Sequence, residues 1–103
     1  MTEIEWTRSA ITDVRSLRDY IARDSEAYAD RFVQRIVEAV ERVALFPLMG
    51  RWVPEAQDDA IREIIFQKYR IMYRIEPTII VILTVIYGGR DLSLVTPEPW
   101  EIL

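Results

Sequence analysis

The sequence predicts an α+β fold, ordered β-α-α-β-β-β, in which a helical hairpin packs on one face of an antiparallel sheet. Apolar residues recur at helical spacing through the first half of the chain and change to strand-like patterns after residue 60. The chain has 103 residues, half of them hydrophobic, which suits one core and is too short for two ordinary domains. We therefore expect residues 1–103 to form a single domain.

The first half of the chain is predicted to contain one strand and two helices. Residues 3–6, EIEW, alternate acidic and apolar, which is typical of a short strand. An amphipathic helix follows over residues 9–23, with apolar positions at Ala10, Val14, Leu17 and Ile21. Ser25 is the expected N-cap of a second helix, which ends near Phe46 because Pro47 cannot continue it. Two helices joined by a few residues form a hairpin.

The second half is predicted to contain a loop and three strands. Residues 47–60 hold two prolines, a glycine and polar clusters, which favours a loop. We expect its apolar residues to close the core: Leu48, Trp52 and Val53. The strands are predicted at residues 61–66, 69–76 and 79–87. Short turns between them give an antiparallel meander, and the β-branched last strand is expected to be buried on most of both faces.

Arginines mark one face of this predicted sheet. On the middle strand, Tyr and Ile alternate with Arg70 and Arg74, so the arginines face away from the helices if the Tyr/Ile side meets them. Arg62 is expected beside them from the neighbouring strand, and Arg90 follows the last strand. Residues 61–90 carry five basic and two acidic side chains in a protein of formal charge −4. We expect a locally positive face, although the net charge opposes nonspecific binding to nucleic acid.

Three interpretations of the arginines are open at this point. They could neutralise a phosphate and stabilise its transition state, as in a metal-free ribonuclease. They could pair with carboxylates of a partner protein. They could also form ordinary ion pairs with Glu63, Glu76 or Asp91 and keep an outer sheet face hydrated.

The residue types exclude several kinds of chemistry. The chain has no histidine and no cysteine. A Ser-His-Asp triad, a Cys-His pair and an ordinary zinc site each need at least one of them. We expect neither a metal nor a cofactor, and any catalysis must use Arg, Lys, Tyr or carboxylates.

Two features argue against a membrane or exported protein. The longest apolar run has nine residues, 79–87, whereas a transmembrane helix needs about 20. The first residues, MTEIEWTRSA, are acidic where a signal peptide is basic and then apolar. We expect a cytoplasmic protein without membrane contact.

Four segments carry a family resemblance: SAITDVRSLRDYIA, FPLMGR, IREIIFQKYRIMYRI and VIYGGRD. Together they resemble the RelE/ParE superfamily of bacterial type II toxins, most closely the ParE branch, over residues 4–91. The resemblance implies a toxin that a cognate antitoxin neutralises in a hetero-oligomer. In the ParE branch the antitoxin is a ParD-like ribbon-helix-helix protein, through which any DNA contact would be made, and the target is DNA gyrase. RelE-like members instead cleave messenger RNA on the ribosome.

Departures from the RelE pattern favour binding over catalysis. Arg70 and Arg90 match arginine positions of the ribonucleases, but the strand that is rich in lysine there reads REIIF here. The tail region where a tyrosine is expected reads LVTPEP. Tyr73 and Tyr87 are possible substitutes, and Tyr87 stands where many ParE relatives have histidine. Each is more simply explained as a sheet residue.

We therefore predict a non-enzymatic toxin with no catalytic residue. The predicted contacts to target or antitoxin are Arg62, Arg70, Arg74, Arg90, Asp91 and Trp100. The groove beside the two helices is the expected antitoxin surface, because a segment that folds on binding needs a long apolar track. The alternatives are a RelE-like messenger RNA endonuclease and an antitoxin-binding protein without potent toxicity. The apolar tail residues Trp100, Ile102 and Leu103 are expected to pack against the sheet.

Overall fold

The computed structural model describes residues 2–101, in which two helices pack on a five-stranded sheet. The elements are β1 (Glu3–Trp6), α1 (Arg8–Ala22), α2 (Glu26–Leu45), β2 (Arg51–Trp52), β3 (Ile61–Phe66), β4 (Tyr69–Ile75) and β5 (Ile79–Tyr87). Single 3-10 turns occur at Pro47–Met49, Leu92–Leu94 and Pro99–Glu101. The predicted α+β class is confirmed. The expectation for Ile102 and Leu103 lies outside the described residues.

The sheet has the strand order β1-β5-β4-β3-β2. Strands β2 to β5 pair antiparallel, so the predicted meander is present. The sheet as a whole is mixed, because β1 pairs parallel with β5 in the register Glu3↔Ile79 to Trp6↔Ile82. A fully antiparallel sheet was therefore wrong: the helical hairpin is long enough to act as the crossover that parallel neighbours require. Strand β2, inside the predicted loop, is too short to show a period of two.

Side-chain caps begin both helices. The Thr7 hydroxyl accepts a hydrogen bond from the Ala10 amide at 3.0 Å and donates one to the carbonyl of Ile82 at 2.9 Å, which joins α1 to β5. The Ser25 hydroxyl accepts from the Tyr28 amide at 3.1 Å, as predicted for α2. No helix in the described part of the chain is long and apolar enough to cross a membrane.

The main core lies between the helices and one face of the sheet, here called the helix face. The strand β4 residues Tyr69, Ile71 and Tyr73 point into it, which confirms the predicted Tyr/Ile stripe. From α2, Phe32 packs edge-on against the Tyr69 ring at 5.5 Å between centroids.

A second core covers the opposite face of the sheet, here called the second face. Its buried members are Val53, Ile61, Met72, Val81, Leu83, Ile86 and Leu92, with Ala56, Ile79, Val95 and Trp100 packed against them. The 53–60 loop and the C-terminal tail supply this cover, so β5 is buried on both faces as predicted and the second face is not an open, hydrated surface. Strand β5 is apolar on both sides and would otherwise expose its second side to water. Val53 closes this core as expected, whereas Leu48 and Trp52 are exposed.

Candidate functional site

Four charged side chains form a network on the second face, in which Glu63 and Arg70 are buried and Arg51 and Glu55 are exposed. Arg70 Nε donates to Glu63 Oε1 at 2.5 Å, and its two terminal nitrogens donate to the Glu55 carboxylate at 2.9 and 3.0 Å. Arg51 Nε donates to the other Glu63 oxygen at 2.7 Å. The Glu63 side chain is fully buried and that of Arg70 is 8% exposed. The network links β2, β3 and β4 to each other and to the 53–60 loop.

The charge of Arg70 is compensated inside the molecule. Its hydrogen bonds with Glu55, and then those with Glu63, raise the Arg70 pKa, and the same Arg70 contact lowers the pKa of Glu55. Arg70 is therefore engaged within the protein rather than presented at the surface, and its predicted contact with target or antitoxin stays a prediction. For this residue the ion-pair interpretation, with Glu63 as the partner, describes the structure.

Arg62 and Arg74 lie on opposite faces of the sheet. Arg62 lies on the helix face, on the same side of β3 as Ile64 and Phe66, so the expectation that it lies beside Arg70 was wrong. Its Nη1 donates to the carbonyls of Leu48 at 3.3 Å and Gly50 at 2.8 Å.

Arg74 is on the second face, as predicted. Its Nη2 donates to the carbonyl of Trp100 at 2.6 Å, and its Nη1 lies 3.7 Å from the Asp58 carboxylate. The Trp100 side chain packs against the second core, as expected for the tail. Arg74 and Trp100 therefore join the tail to the sheet, and their predicted contacts with a partner stay predictions.

Arg90 remains free at the end of β5. Its amide donates to the carbonyl of Tyr87 at 3.1 Å, which forms the turn, and its guanidinium has no hydrogen bond or ion pair within residues 2–101. It lines a shallow groove of about 260 Å³ together with Asp13, Ser16, Leu17, Val85, Ile86 and Tyr87. The next residue, Asp91, caps the following turn, where hydrogen bonds from Ser93 lower its pKa. The exposed Arg90 side chain thus stands beside a groove whose apolar lining comes from Leu17, Val85 and Ile86.

Asp13 is a site residue that sequence reasoning missed. Its Oδ2 accepts from the Thr84 hydroxyl at 2.6 Å and from the Val85 amide at 3.1 Å, which anchors α1 on β5 next to Arg90. Thr84 is the single buried polar residue of β5 and is 4% exposed. A lone buried threonine requires a partner, and this was the signal available in the sequence.

Tyr73 is engaged inside the protein. Its hydroxyl donates to the carbonyl of Pro47 at 2.6 Å and accepts from the Gly50 amide at 3.0 Å. Burial raises its pKa, so the phenol stays protonated and fixes the turn after α2. Tyr87, in contrast, is 55% exposed beside Arg90.

A second groove runs between the helices, here called the α1–α2 groove. It has a volume of about 230 Å³ and is lined by Trp6, Ile11, Val14, Arg15, Val33 and Val37. Ile11 and Val37 are 38% and 41% exposed. The groove offers an almost wholly apolar track.

Within residues 2–101 no cluster of acidic side chains is placed to hold a metal ion.

This arrangement of two helices on a mixed sheet is the fold of RelE and ParE toxins. One solved structure of this fold is described as the chromosomal ParDE toxin-antitoxin system from P. aeruginosa. It aligns with a TM-score of 0.70 and 24% identity over 84% of this chain and 96% of that chain. The toxin-antitoxin complex RelBE2 from Mycobacterium tuberculosis aligns with a TM-score of 0.61 and 23% identity over the same shares.

The sequence comparisons identify the family. Residues 4–92 match the family described as the ParE toxin of the type II toxin-antitoxin system parDE, and the chain belongs to this family. A relative named Toxin RelE2, from Caulobacter vibrioides, is 28% identical over 87% of this chain and 99% of its own length. The predicted membership of the RelE/ParE superfamily is confirmed.

Proposed function

We propose that this toxin arrests growth by binding DNA gyrase in the cytoplasm, without catalysing a reaction, and that direct binding of a ParD-like antitoxin neutralises it. Family membership supports the toxin role. The observation that carries the binding mechanism is the state of Arg70, which two carboxylates hold at the second face. A guanidinium engaged in this way is not available to stabilise a phosphate.

The neighbouring groups also favour binding over RNA cleavage. Cleavage by a 2′-hydroxyl needs a proton acceptor, an acid and charge stabilisation. Asp13, the carboxylate that lines the groove together with Arg90, already accepts two hydrogen bonds, and Tyr73 is buried with a raised pKa. Arg90 is left as a cation beside apolar surface, which suits a carboxylate on a target protein.

The α1–α2 groove supports an antitoxin surface. An amphipathic segment can lay its apolar side chains into such a track, with spaced anchors contacting Ile11, Val14 and Val37. Two solved relatives are described as a ParDE system and a toxin-antitoxin complex, which supports a hetero-oligomer with an antitoxin. In this proposal DNA is contacted through the antitoxin alone.

Ribosome-dependent cleavage of messenger RNA is the second candidate. The relationship to Toxin RelE2 favours it, and the exposed pair Tyr87 and Arg90 would have to supply the chemistry. The third candidate is a protein that binds its antitoxin but is not potently toxic.

Supercoiling assays with purified gyrase test the proposed target. The wild-type protein should inhibit supercoiling, and Arg90→Ala should raise the concentration needed at least tenfold. The control is Arg35→Ala, which removes an exposed arginine of α2 that forms no ion pair within residues 2–101. The second candidate would be established instead if the wild-type protein cleaves messenger RNA on the ribosome, Arg90→Ala loses this activity, and neither protein inhibits gyrase.

The antitoxin surface is tested separately by co-purification with a ParD-like antitoxin, the partner class proposed above. Ile11→Asp places a charge in the α1–α2 groove and should weaken the complex at least tenfold. Leu94→Asp changes a leucine that is 80% exposed outside the groove and should leave the complex intact. Equal binding by the two variants would contradict the assignment of this groove.

A further inference from the structure

The Arg70 guanidinium divides its hydrogen bonds between two carboxylates. Its Nε donates to the fully buried Glu63. Its terminal nitrogens Nη1 and Nη2 donate only to Glu55 within residues 2–101, at 3.0 and 2.9 Å. Arginine binds a carboxylate or a phosphate in this same two-point geometry. The Glu55 side chain is 41% exposed, so its removal would open the terminal nitrogens of Arg70 to solvent.

A short turn places Glu55 at this position. In the segment VPEA, residues 53–56, the Ala56 amide donates to the Val53 carbonyl at 3.1 Å. Pro54 is the second residue of the turn, where its fixed φ is favourable. Val53 is buried in the second core and Ala56 packs against that core, so both ends of the turn are anchored. This anchoring holds the Glu55 carboxylate in place.

Without the Glu55 carboxylate, the same position would be positively charged. Glu55 and Glu63 raise the pKa of Arg70, and Arg70 and Arg51 lower the pKa of Glu55. Both arginines also bond to Glu63. Without Glu55, two guanidinium groups would therefore face one carboxylate, and one positive charge would lack a partner. Because Arg70 is buried, an anion would interact with it more strongly than in bulk water.

We propose that Glu55 determines the binding specificity of the second face by keeping phosphate groups off Arg70. A carboxylate tethered in the same chain competes at an effective concentration of about 1 mM or more, which a dilute phosphate ligand does not match. The inference rests on the proposed function for its biological role, the exclusion of RNA. The phosphate site itself can be measured without gyrase or antitoxin.

Isothermal titration calorimetry with inorganic pyrophosphate, in chloride buffer of constant ionic strength, tests the proposal. Glu55→Ala should bind pyrophosphate at least tenfold more tightly than the wild-type protein. The control Glu38→Ala removes the same charge from an exposed position of α2 that has no ion pair within residues 2–101, and it should bind as weakly as wild type. Adding Arg70→Lys to Glu55→Ala keeps the positive charge but removes the two-point donor, so the gain in affinity should disappear.

Two further measurements locate the site and guard against a folding defect. In 15N NMR spectra of Glu55→Ala, pyrophosphate should shift the Arg70 Nε–H signal and the amides of residues 51–56. Thermal melts should show that pyrophosphate stabilises Glu55→Ala more than wild type. Glu55→Gln, which keeps the size of the side chain, is the second variant and should also bind more tightly than wild type.

Several results would overturn the proposal. These are folded Glu55→Ala and Glu55→Gln proteins that bind pyrophosphate no better than wild type, or an equal gain in Glu38→Ala, which would assign the effect to net charge. Shifts confined to residues far from Arg70 would overturn it as well. A failure of these binding measurements would leave gyrase inhibition by the wild-type protein unaffected, and a negative gyrase assay would leave the pyrophosphate results unchanged, so the two proposals fail separately.

Discussion

Removing one charge of the Glu63–Arg70 pair should cost far more than removing both. In Glu63→Met, the 8% exposed Arg70 guanidinium keeps only Glu55 as a partner. In Arg70→Met, the fully buried Glu63 keeps only Arg51. The double variant Glu63→Met/Arg70→Met leaves no charge buried, since Glu55 and Arg51 are 41% and 63% exposed and can turn to water.

The expected magnitudes follow from the burial of the two groups. Breaking a buried ion pair from one side costs about 3–5 kcal/mol. Because each survivor keeps one partner, we expect about 3 kcal/mol for each single variant, at the lower end of that range. Replacing both charges by apolar groups of similar volume is often neutral, so the double variant should lose about 1 kcal/mol or less.

Urea unfolding followed by tryptophan fluorescence measures these changes. With a slope of about 1.5 kcal/mol per molar urea, each single variant should move its midpoint down by ~2 M. The control Glu38→Met removes an exposed carboxylate on α2 that has no ion pair within residues 2–101, and it should stay within about 0.5 kcal/mol of wild type.

Two results would refute this reasoning. One is a free energy of unfolding for Glu63→Met within about 1 kcal/mol of the wild-type value, which would mean that water or Glu55 alone is a sufficient partner for Arg70. The other is a double variant that loses the sum of the two single changes, because independent residues add and a coupled pair does not.

Three further predictions concern the same region. Glu55 has a folded pKa below its ordinary value of ~4.3, so its stabilisation is complete above that value and is lost as the pH falls through the folded pKa. Urea titrations should show Glu55→Gln less stable than wild type by about 1 kcal/mol at pH 7, with a gap that shrinks towards pH 2; a constant gap would contradict this. Tyr73→Phe should lower the free energy of unfolding by about 2 kcal/mol in chemical denaturation, because it leaves the Pro47 carbonyl and the Gly50 amide without their partner. Tyr69→Phe should lose less, because the Tyr69 hydroxyl has no hydrogen bond within residues 2–101. Equal losses in the two variants would contradict the predicted role of the Tyr73 hydroxyl. Gly50→Ala should lower the free energy of unfolding by about 2 kcal/mol, because the added Cβ would lie 2.7 Å from the Glu63 carbonyl oxygen of β3. In thermal melts Gly88→Ala should be less destabilised, because there the nearest atom to the added Cβ is 3.2 Å away.

The sequence predicted the main elements because each depends on residues near one another in the chain. The strands at 61–66 and 79–87 have the predicted bounds, and the first helix, predicted at 9–23, spans Arg8–Ala22. Helix N-caps and the alternation of apolar and polar residues are local signals, so they can be recognised without knowing the tertiary contacts. Strand β2 and the parallel pairing of β1 were missed because pairing between distant segments leaves little local trace.

The position of Arg62 was available in the sequence but was misread. A two-residue turn at Gln67 and Lys68 pairs Phe66 with Tyr69, and counting back places Arg62 opposite Tyr73 on the helix face. Counting register in this way would have separated Arg62 from Arg70. It would also have put Glu63 on the same face as Arg70.

The sequence alone determined the fold class and the absence of histidine and cysteine chemistry, since these follow from local patterns and residue types, and its resemblance to known toxins indicated the family. Only the tertiary structure decided which charges are free. Arg70 and Arg90 both match arginines of the family pattern, yet Arg70 is compensated by Glu55, 15 residues away, while Arg90 has no partner within residues 2–101. The electrostatic role of an arginine depends on distance and burial, and a folded chain sets both through contacts between residues far apart in sequence.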